Sequence, residues 1–554
     1  VNLTRHLIRI GGAVLLAAPG IARAQGKSTN IVTDALVIPR GDLRVRQLTQ
    51  WTNYDDLFGV PGISSATPVA STFSTDSLGT RQIPTLAPAE AAIRALSGVT
   101  GFRLTAGKLA ATADSRIVTS PFVVDYGVTD RLMVSLVVPL VQTRTTFVFA
   151  LNSSLGFANV GPNPGYFNSA ALASNAALVT QLRTAATTLQ GRLASCRIDP
   201  TKPECQSIIG HEAGAEALIQ TSAAFATGVE GLYGTGVGHP GQVFVPLTES
   251  ASDKAISARI AQFDTLYKSF LGSGSITNTL APAGGPAANQ QLQTIVSTNI
   301  LGVDRDTLGT TNRLSIGDIS IGATYQLLNS FGDTSASRKV RLVVNGSLRF
   351  ATGEPAETNT LYDLGTGYGQ MGLQAGAAAD VRLSRRFELT GVGSYTLQLG
   401  SRDVARVANP ANLPYPLTFQ GSGTYSAGNV LSVLAIPRFR LAPSFGLNGL
   451  YQLRRLGADH YVTTSPVSPD SSGVPAIPDN LRGATAATEQ QLGFGFSYST
   501  VVDSDRAPGR LPFEMTFNHV ETVSASGGPV AKSFRDQVEV RVYLPLRRWR
   551  SGSR

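Results

Sequence analysis

The chain has 554 residues, 42% of them hydrophobic but only 15% charged, against about 25% charged in an ordinary soluble protein. Gly (57) and Pro (30) are close to average usage, which excludes collagen-like and low-complexity chains. The formal charge of +9 rests on seven Lys and thirty-nine Arg. Outside Arg547-Arg548-Trp549-Arg550 they form no run and accompany no nucleic-acid-binding motif, so nucleic acid is not an expected partner.

Arg5, His6 and Arg9 precede an apolar, small-residue run from Ile10 to Ala22, and Ala22-Arg23-Ala24 precedes Gln25. A charged head, a short apolar run and an A-x-A site predict a secretory signal over residues 1–24, cleaved between Ala24 and Gln25. Residues 25–40 follow as an N-terminal segment. No later stretch reaches the roughly 18–20 apolar residues of a spanning helix, so two classes remain: a soluble secreted protein or a membrane β-barrel.

Residues 41–150 are expected to hold three strands: about Gly41 to Phe58, Arg116 to Tyr126, and Arg131 to Ala150, where Leu132, Val134, Leu136, Val138 and Leu140 mark one face. Residues 151–311 break the pattern. Ala/Leu-rich stretches at Asn168 to Ser195, Gly210 to Tyr233 and Thr248 to Leu271 predict at least three helices in an insert that caps or plugs a barrel. Cys196 and Cys205 lie nine positions apart in a polar, Pro-containing segment, and in an oxidising compartment they are expected to form a disulfide. Gly234 to Gly241 is glycine-rich but lacks the G-K-[ST] of a phosphate loop, and is read as a connector.

From residue 312 to 546 the sequence alternates with period two, the signature of strands with one apolar and one polar face. Ile319, Ile321, Ala323, Tyr325 and Leu327 oppose Asp318, Ser320, Thr324 and Gln326; the last repeat sets Val538, Val540, Val542 and Leu544 against Gln537, Glu539, Arg541 and Tyr543. Nine strands fit this stretch, making twelve in all, an even number as in bacterial single-chain barrels. Short connections at residues 127–130, 384–386 and 442–444 contrast with long ones at 59–100, 151–311, 353–369, 401–428 and 457–487, the asymmetry of periplasmic turns and extracellular loops. The expected fold is therefore an all-β transmembrane protein, an antiparallel up-and-down outer-membrane barrel of about twelve strands with a helical extracellular insert. Residues 547–554 form a basic tail.

If the apolar face meets lipid, the polar face lines the lumen. It carries Arg341, Arg349, Arg382, Arg438, Arg440, Arg454 and Arg541, with acids at Asp318, Asp380, Glu388, Glu514 and Glu539. Two roles are open: opposed charges that brace the wall, or a basic lining that selects anionic solutes. Catalytic and metal chemistry is not expected. None of the five His forms H-E-x-x-H or stands at ligand spacing from another, and G-x-S-x-G is absent, although His519 has the outward parity of a barrel hydrolase's histidine.

Tyr126-Gly127-Val128-Thr129-Asp130-Arg131-Leu132 followed by V-S-L-V-V-P, then Gly317-Asp318-Ile319, then R-F-A-T-G (Arg349 to Gly353) and Asp363-Leu364-Gly365-Thr366-Gly367, resemble the outer-membrane barrels grouped as meta-pathway phenol-degradation proteins or porin-transporters. The likeness spans about residues 115–400. It implies passive passage of small, hydrophobic or aromatic molecules across the bacterial outer membrane, with membrane lipid and the barrel-assembly machinery as partners and no cofactor. The chain departs from the family in its helical insert with a cysteine pair and in the RRWRSGSR that follows Leu546. The rival expectation is a sealed barrel that displays the insert to a binding partner; an outer-membrane hydrolase is the third.

Overall fold

The structure is a computed structural model that describes residues 33–59, 65–83, 86–152, 157–236, 238–288, 290–291, 309–332, 339–357, 363–407, 419–463, 485–501 and 512–544. The expected signal peptide and basic tail lie outside the described residues. The wall is built from β1 (Leu43–Phe58), β2 (Leu109–Gly127), β3 (Leu132–Leu151), β4 (Gly309–Ile316 and Ser320–Asn329), β5 (Lys339–Arg349), β6 (Gly372–Arg382), β7 (Phe387–Gln398), β8 (Val430–Ala442), β9 (Phe445–Leu456), β10 (Ala487–Ser499), β11 (Phe513–Gly527) and β12 (Val530–Leu544). Each pairs antiparallel with its sequence neighbours, and β12 returns to β1 in a register running from Leu43 opposite Leu544 to Phe58 opposite Val530. Twelve strands thus close on themselves and leave no edge, the only sheet that satisfies its backbone in lipid.

The alternation sets which side is which. Ile321, Leu136 and Phe494 are 50%, 41% and 66% exposed on the outer surface, whereas Ser135, Thr324 and Asp380 on the opposite parity are buried. A soluble sandwich would bury its apolar stripe; here the apolar stripe faces out, as in an outer-membrane barrel. The mouths differ too. Short turns at residues 128–131, 383–386 and 443–444 share one end with the start of β1 and the finish of β12, which makes it the periplasmic end. At the other end stand the long loops, with one exception: β11 and β12 meet through residues 528–529 alone. Sequence alternation stops at Asn518 and resumes at Gln537, but both strands continue to this tight turn, because the polar stretch between them needs no apolar stripe once it rises above the lipid.

Strand β4 is interrupted. Leu140 of β3 faces Ile316 and Val137 faces Ser320, so β4 holds one residue more than its partner, a bulge. It turns Asp318 inward, where its carboxylate accepts from the amides of Gly353 (2.9 Å) and Tyr368 (2.8 Å) in the loop after β5.

Among the described residues, the loops after β1 and β3 carry four α-helices: α1 (Ala87–Ser97), α2 (Ser169–Ile198), α3 (Glu212–Tyr233) and α4 (Ala251–Leu271). Helix α1 is absent from the sequence reading, although Pro88 opens it and Gly98, at φ 72°, ends it in the left-handed conformation that favours glycine. Asn168 caps α2 by accepting from the amides of Ala170 and Ala171, and Ser250 caps α4 by accepting from that of Asp253 (3.2 Å). Cys196 and Cys205 form a disulfide with Cα atoms 5.4 Å apart at the end of α2. Leu178, Leu182, Leu189, Phe225 and Phe263 of the helices share one core with Phe147 and Phe149 of β3 and Leu364 of the loop after β5. No described helix is long and apolar enough to cross a membrane.

Candidate functional site

The candidate site is the barrel interior. Residues 33–40 enter it from the periplasmic end. Ala35, Val37 and Ile38 are buried there against an apolar belt that includes Val123, Met133 and Val137 of β2 and β3, Val343 of β5 and Leu434 of β8. This corrects the expectation of a polar lumen wall. Part of the wall is apolar because it packs on the chain's own N-terminal segment rather than on water.

Charge fixes the segment. Asp34 forms ion pairs with Arg541 and with Arg44 (3.6 Å), Thr33 accepts from Arg541 (2.9 Å), and the amide of Ala35 donates to Asp380 Oδ2 (3.2 Å). Burial alone would raise the Asp34 carboxyl, but Arg541 and Arg44 overcome it and hold it well below the usual carboxylate range. Beneath it, Asp125 on β2 accepts from Arg44 Nε (2.7 Å), Arg46 Nε (2.8 Å) and Ser135 Oγ (2.6 Å), and is itself fully buried.

All twelve sequence-predicted lumen residues lie at inward positions, mostly in pairs. Arg341 meets Asp380 (3.3 Å); Arg382 and Arg440 meet Glu388 (3.6 and 3.0 Å); Arg454 meets Glu489 (3.0 Å); Arg541 meets Glu539 (2.8 Å) and Glu514 (3.8 Å). Arg349 stacks 4.1 Å from the Tyr368 ring centre, 3.7 Å from Asp318, and donates to Gln398. The Phe331 ring lies between Arg341 (4.0 Å) and Arg382 (4.7 Å). Arg438 is the exception. It donates to Asn448 (3.2 Å), and among the described residues no carboxylate stands within ion-pair distance of it. The pairing supports bracing over a general basic lining.

Sequence reasoning missed Arg44, Arg46, Asp125, Glu489 and Arg535. Arg44 and Arg46 share one strand face, and the parity of Asp125 with Val123 was a usable signal. His519 faces outward, as its parity predicts. Its ring nitrogens are held by Asp536 (2.7 Å) and Glu521 (3.1 Å), and among the described residues no hydroxyl shares that hydrogen bonding.

Open volumes remain in the interior among the described residues. A cavity of about 170 Å³ is bounded by Asp34, Gln50, Glu388, Arg438, Asn518 and Arg535, among others. A second of about 190 Å³ lies at the periplasmic turn of β8 and β9. The two share Arg438, Glu514, Thr516 and Arg541.

The closed register, the outward apolar band and the uneven mouths define a barrel of the outer-membrane class. No family model matches the chain, and no curated protein matches it. Among solved structures it is similar to an outer membrane channel from Pseudomonas putida F1 (9% identity, 93% of this chain and 100% of that one, TM-score 0.37). It is also similar to the translocator domain of the autotransporter NalP from Neisseria meningitidis (9%, 96% and 92%, 0.30) and to the Ralstonia pickettii toluene transporter TbuX (9%, 97% and 99%, 0.29).

Proposed function

We propose that this protein is an outer-membrane channel for passive passage of small molecules, held shut at the periplasmic end by residues 33–40 and covered at the outer end by the helical insert. The observation that carries this reading is the cavity of about 170 Å³ beside Thr33, Asp34 and Leu36 of the N-terminal segment, which a solid, purely structural barrel does not need. Its volume is about that which holds a benzene ring. Its polar lining, with Arg438 free of a carboxylate partner among the described residues, fits small aromatic solutes that carry a polar or acidic group, which agrees with the class implied by the sequence resemblance.

Planar-bilayer recording tests it. The full chain is expected to conduct rarely, and a chain lacking residues 25–40 to conduct steadily. The sealed display barrel wins if neither form, nor one lacking residues 151–311, passes ions or swells liposomes.

A further inference from the structure

On the outer wall, where β1 to β4 run side by side, four polar residues form one transverse row. The register sets Asn53 opposite Arg116, Arg116 opposite Arg144, and Arg144 opposite Asn312. All point away from the lumen, since the flanking Thr52, Ser115, Ile117, Thr143 and Thr145 are buried; Arg116, Arg144 and Asn312 are exposed. Side chains directly opposite across antiparallel strands lie about 5 Å apart, and like charges there destabilise the pair. Inside the lumen the same problem is solved by Asp125 between Arg44 and Arg46. Outside, neither Arg116 nor Arg144 makes an ion pair with a described carboxylate, and the nearest outward acid along β2, Asp114, faces Thr146 instead.

The height of the row identifies what supplies the missing negative charge. One outward step towards the periplasm, Trp51 faces Val118, and an aromatic residue at this level marks the lipid interface. Below it the wall is mainly apolar, with Phe122, Leu136, Leu140 and Ile316 exposed and Gln47, Thr49 and Ser120 as its polar outward residues, down to Tyr126 at the periplasmic margin. From Tyr126 to Arg116 is ten residues, roughly 33 Å of strand and about 25 Å along the axis at a tilt near 40°, the height of a lipid-facing band. The two arginines therefore stand at the headgroup level of the outer leaflet.

We propose that Arg116 and Arg144 together bind the phosphate of a phosphorylated glycolipid of the outer leaflet. Two guanidinium forks on one phosphate replace mutual repulsion with charge-assisted hydrogen bonds. Asn53, Asn312 and Gln142, whose amide already donates to Asn312 (3.2 Å), supply neutral partners for sugar oxygens, and the acyl chains lie along Val118, Leu140 and Leu314. The proposal rests on the outer-membrane reading, and the test separates the two.

The experiment is native mass spectrometry and thermal unfolding of the full chain in detergent, with diphosphoryl lipid A, dephosphorylated lipid A or phosphatidylglycerol added. The wild type is expected to retain diphosphoryl lipid A at least tenfold better than an Arg116→Gln/Arg144→Gln double variant, which keeps the side-chain bulk and removes both charges. In lipid-free detergent the double variant is expected to melt higher than the wild type, and added lipid A to reverse that order. Equal adducts in an intact, heat-modifiable barrel overturn the lipid site alone. Equal binding of dephosphorylated lipid A or of phosphatidylglycerol overturns it too. A wild-type chain that forms no heat-modifiable barrel overturns the membrane reading and the site with it.

Discussion

Residues 33–40 pack at the periplasmic end of the barrel and helices α1 to α4 at the other, but the first combine a small apolar contact with ion pairs and the second hold by apolar packing. The N-terminal segment buries Ala35, Val37 and Ile38, and its remaining hold runs through Asp34 to Arg541 and Arg44. The insert shares a continuous core from Leu178 and Phe225 to Phe147 of the wall. A short ionic latch can be released by moving one carboxylate; a shared core must be unpacked as a unit. In the proposed channel the periplasmic segment is therefore the gate, and the insert the fixed roof.

The sharpest way to break this contrast is to remove the charge on which the latch stands. Asp125→Ala leaves Arg44 and Arg46 buried without their carboxylate, and breaking a buried pair in this way costs about 3–5 kcal/mol. The variant is expected to lose barrel stability by that amount in heat-modifiability and urea titrations, and to gain conductance because Arg44 no longer holds Asp34 in place. A stable, silent variant would detach the latch from this network.

The insert should respond differently. Leu182, fully buried in α2, is expected on change to Ala to cost roughly 3 kcal/mol, read as faster proteolysis of residues 157–288 with the barrel's own unfolding temperature unchanged. A smaller effect of the same kind follows from Cys196→Ser. The disulfide joins residues nine positions apart, worth about 2–3 kcal/mol on the chain-entropy model, and its loss is expected to loosen the end of α2 without altering conductance. If either change opens the pore, the roof is part of the gate.

How far the sequence shows this contrast depends on periodicity. Strands β4 to β12 are legible because one side of each meets lipid and the other does not. Strand β1 is less so, since Arg44 and Arg46 face inward while Gln47 and Thr49 face outward, leaving polar residues on both sides. The helices of the insert are legible from their spacing and caps, but α1 has only eleven residues and falls below the length at which a pattern stands out. Residues 33–40 carry no period at all. Their place is set by partners as distant as Asp380 and Arg541, 345 and 507 positions away, and no local pattern encodes such contacts.

The smallest expected effect concerns pH, and it bears on the latch directly. A carboxyl whose folded pKa is lowered contributes stability that is complete above its unfolded value, near 4, and is lost only as pH falls through the lower folded value. Asp34 is such a group, held down by Arg541 and Arg44 against the opposing effect of burial. The latch is therefore expected to stay fully engaged from pH 8 to pH 5, so that the ratio of wild-type conductance to that of Asp34→Asn stays constant across that range. Asp34→Asn itself keeps the shape and removes the charge, and is expected to raise the open probability at every pH. A wild-type channel that opened between pH 6 and pH 5, while Asp34→Asn did not change, would show that the latch yields to protons far above the range of Asp34, and that another group in the lumen, rather than the ionic hold on residues 33–40, sets the gate.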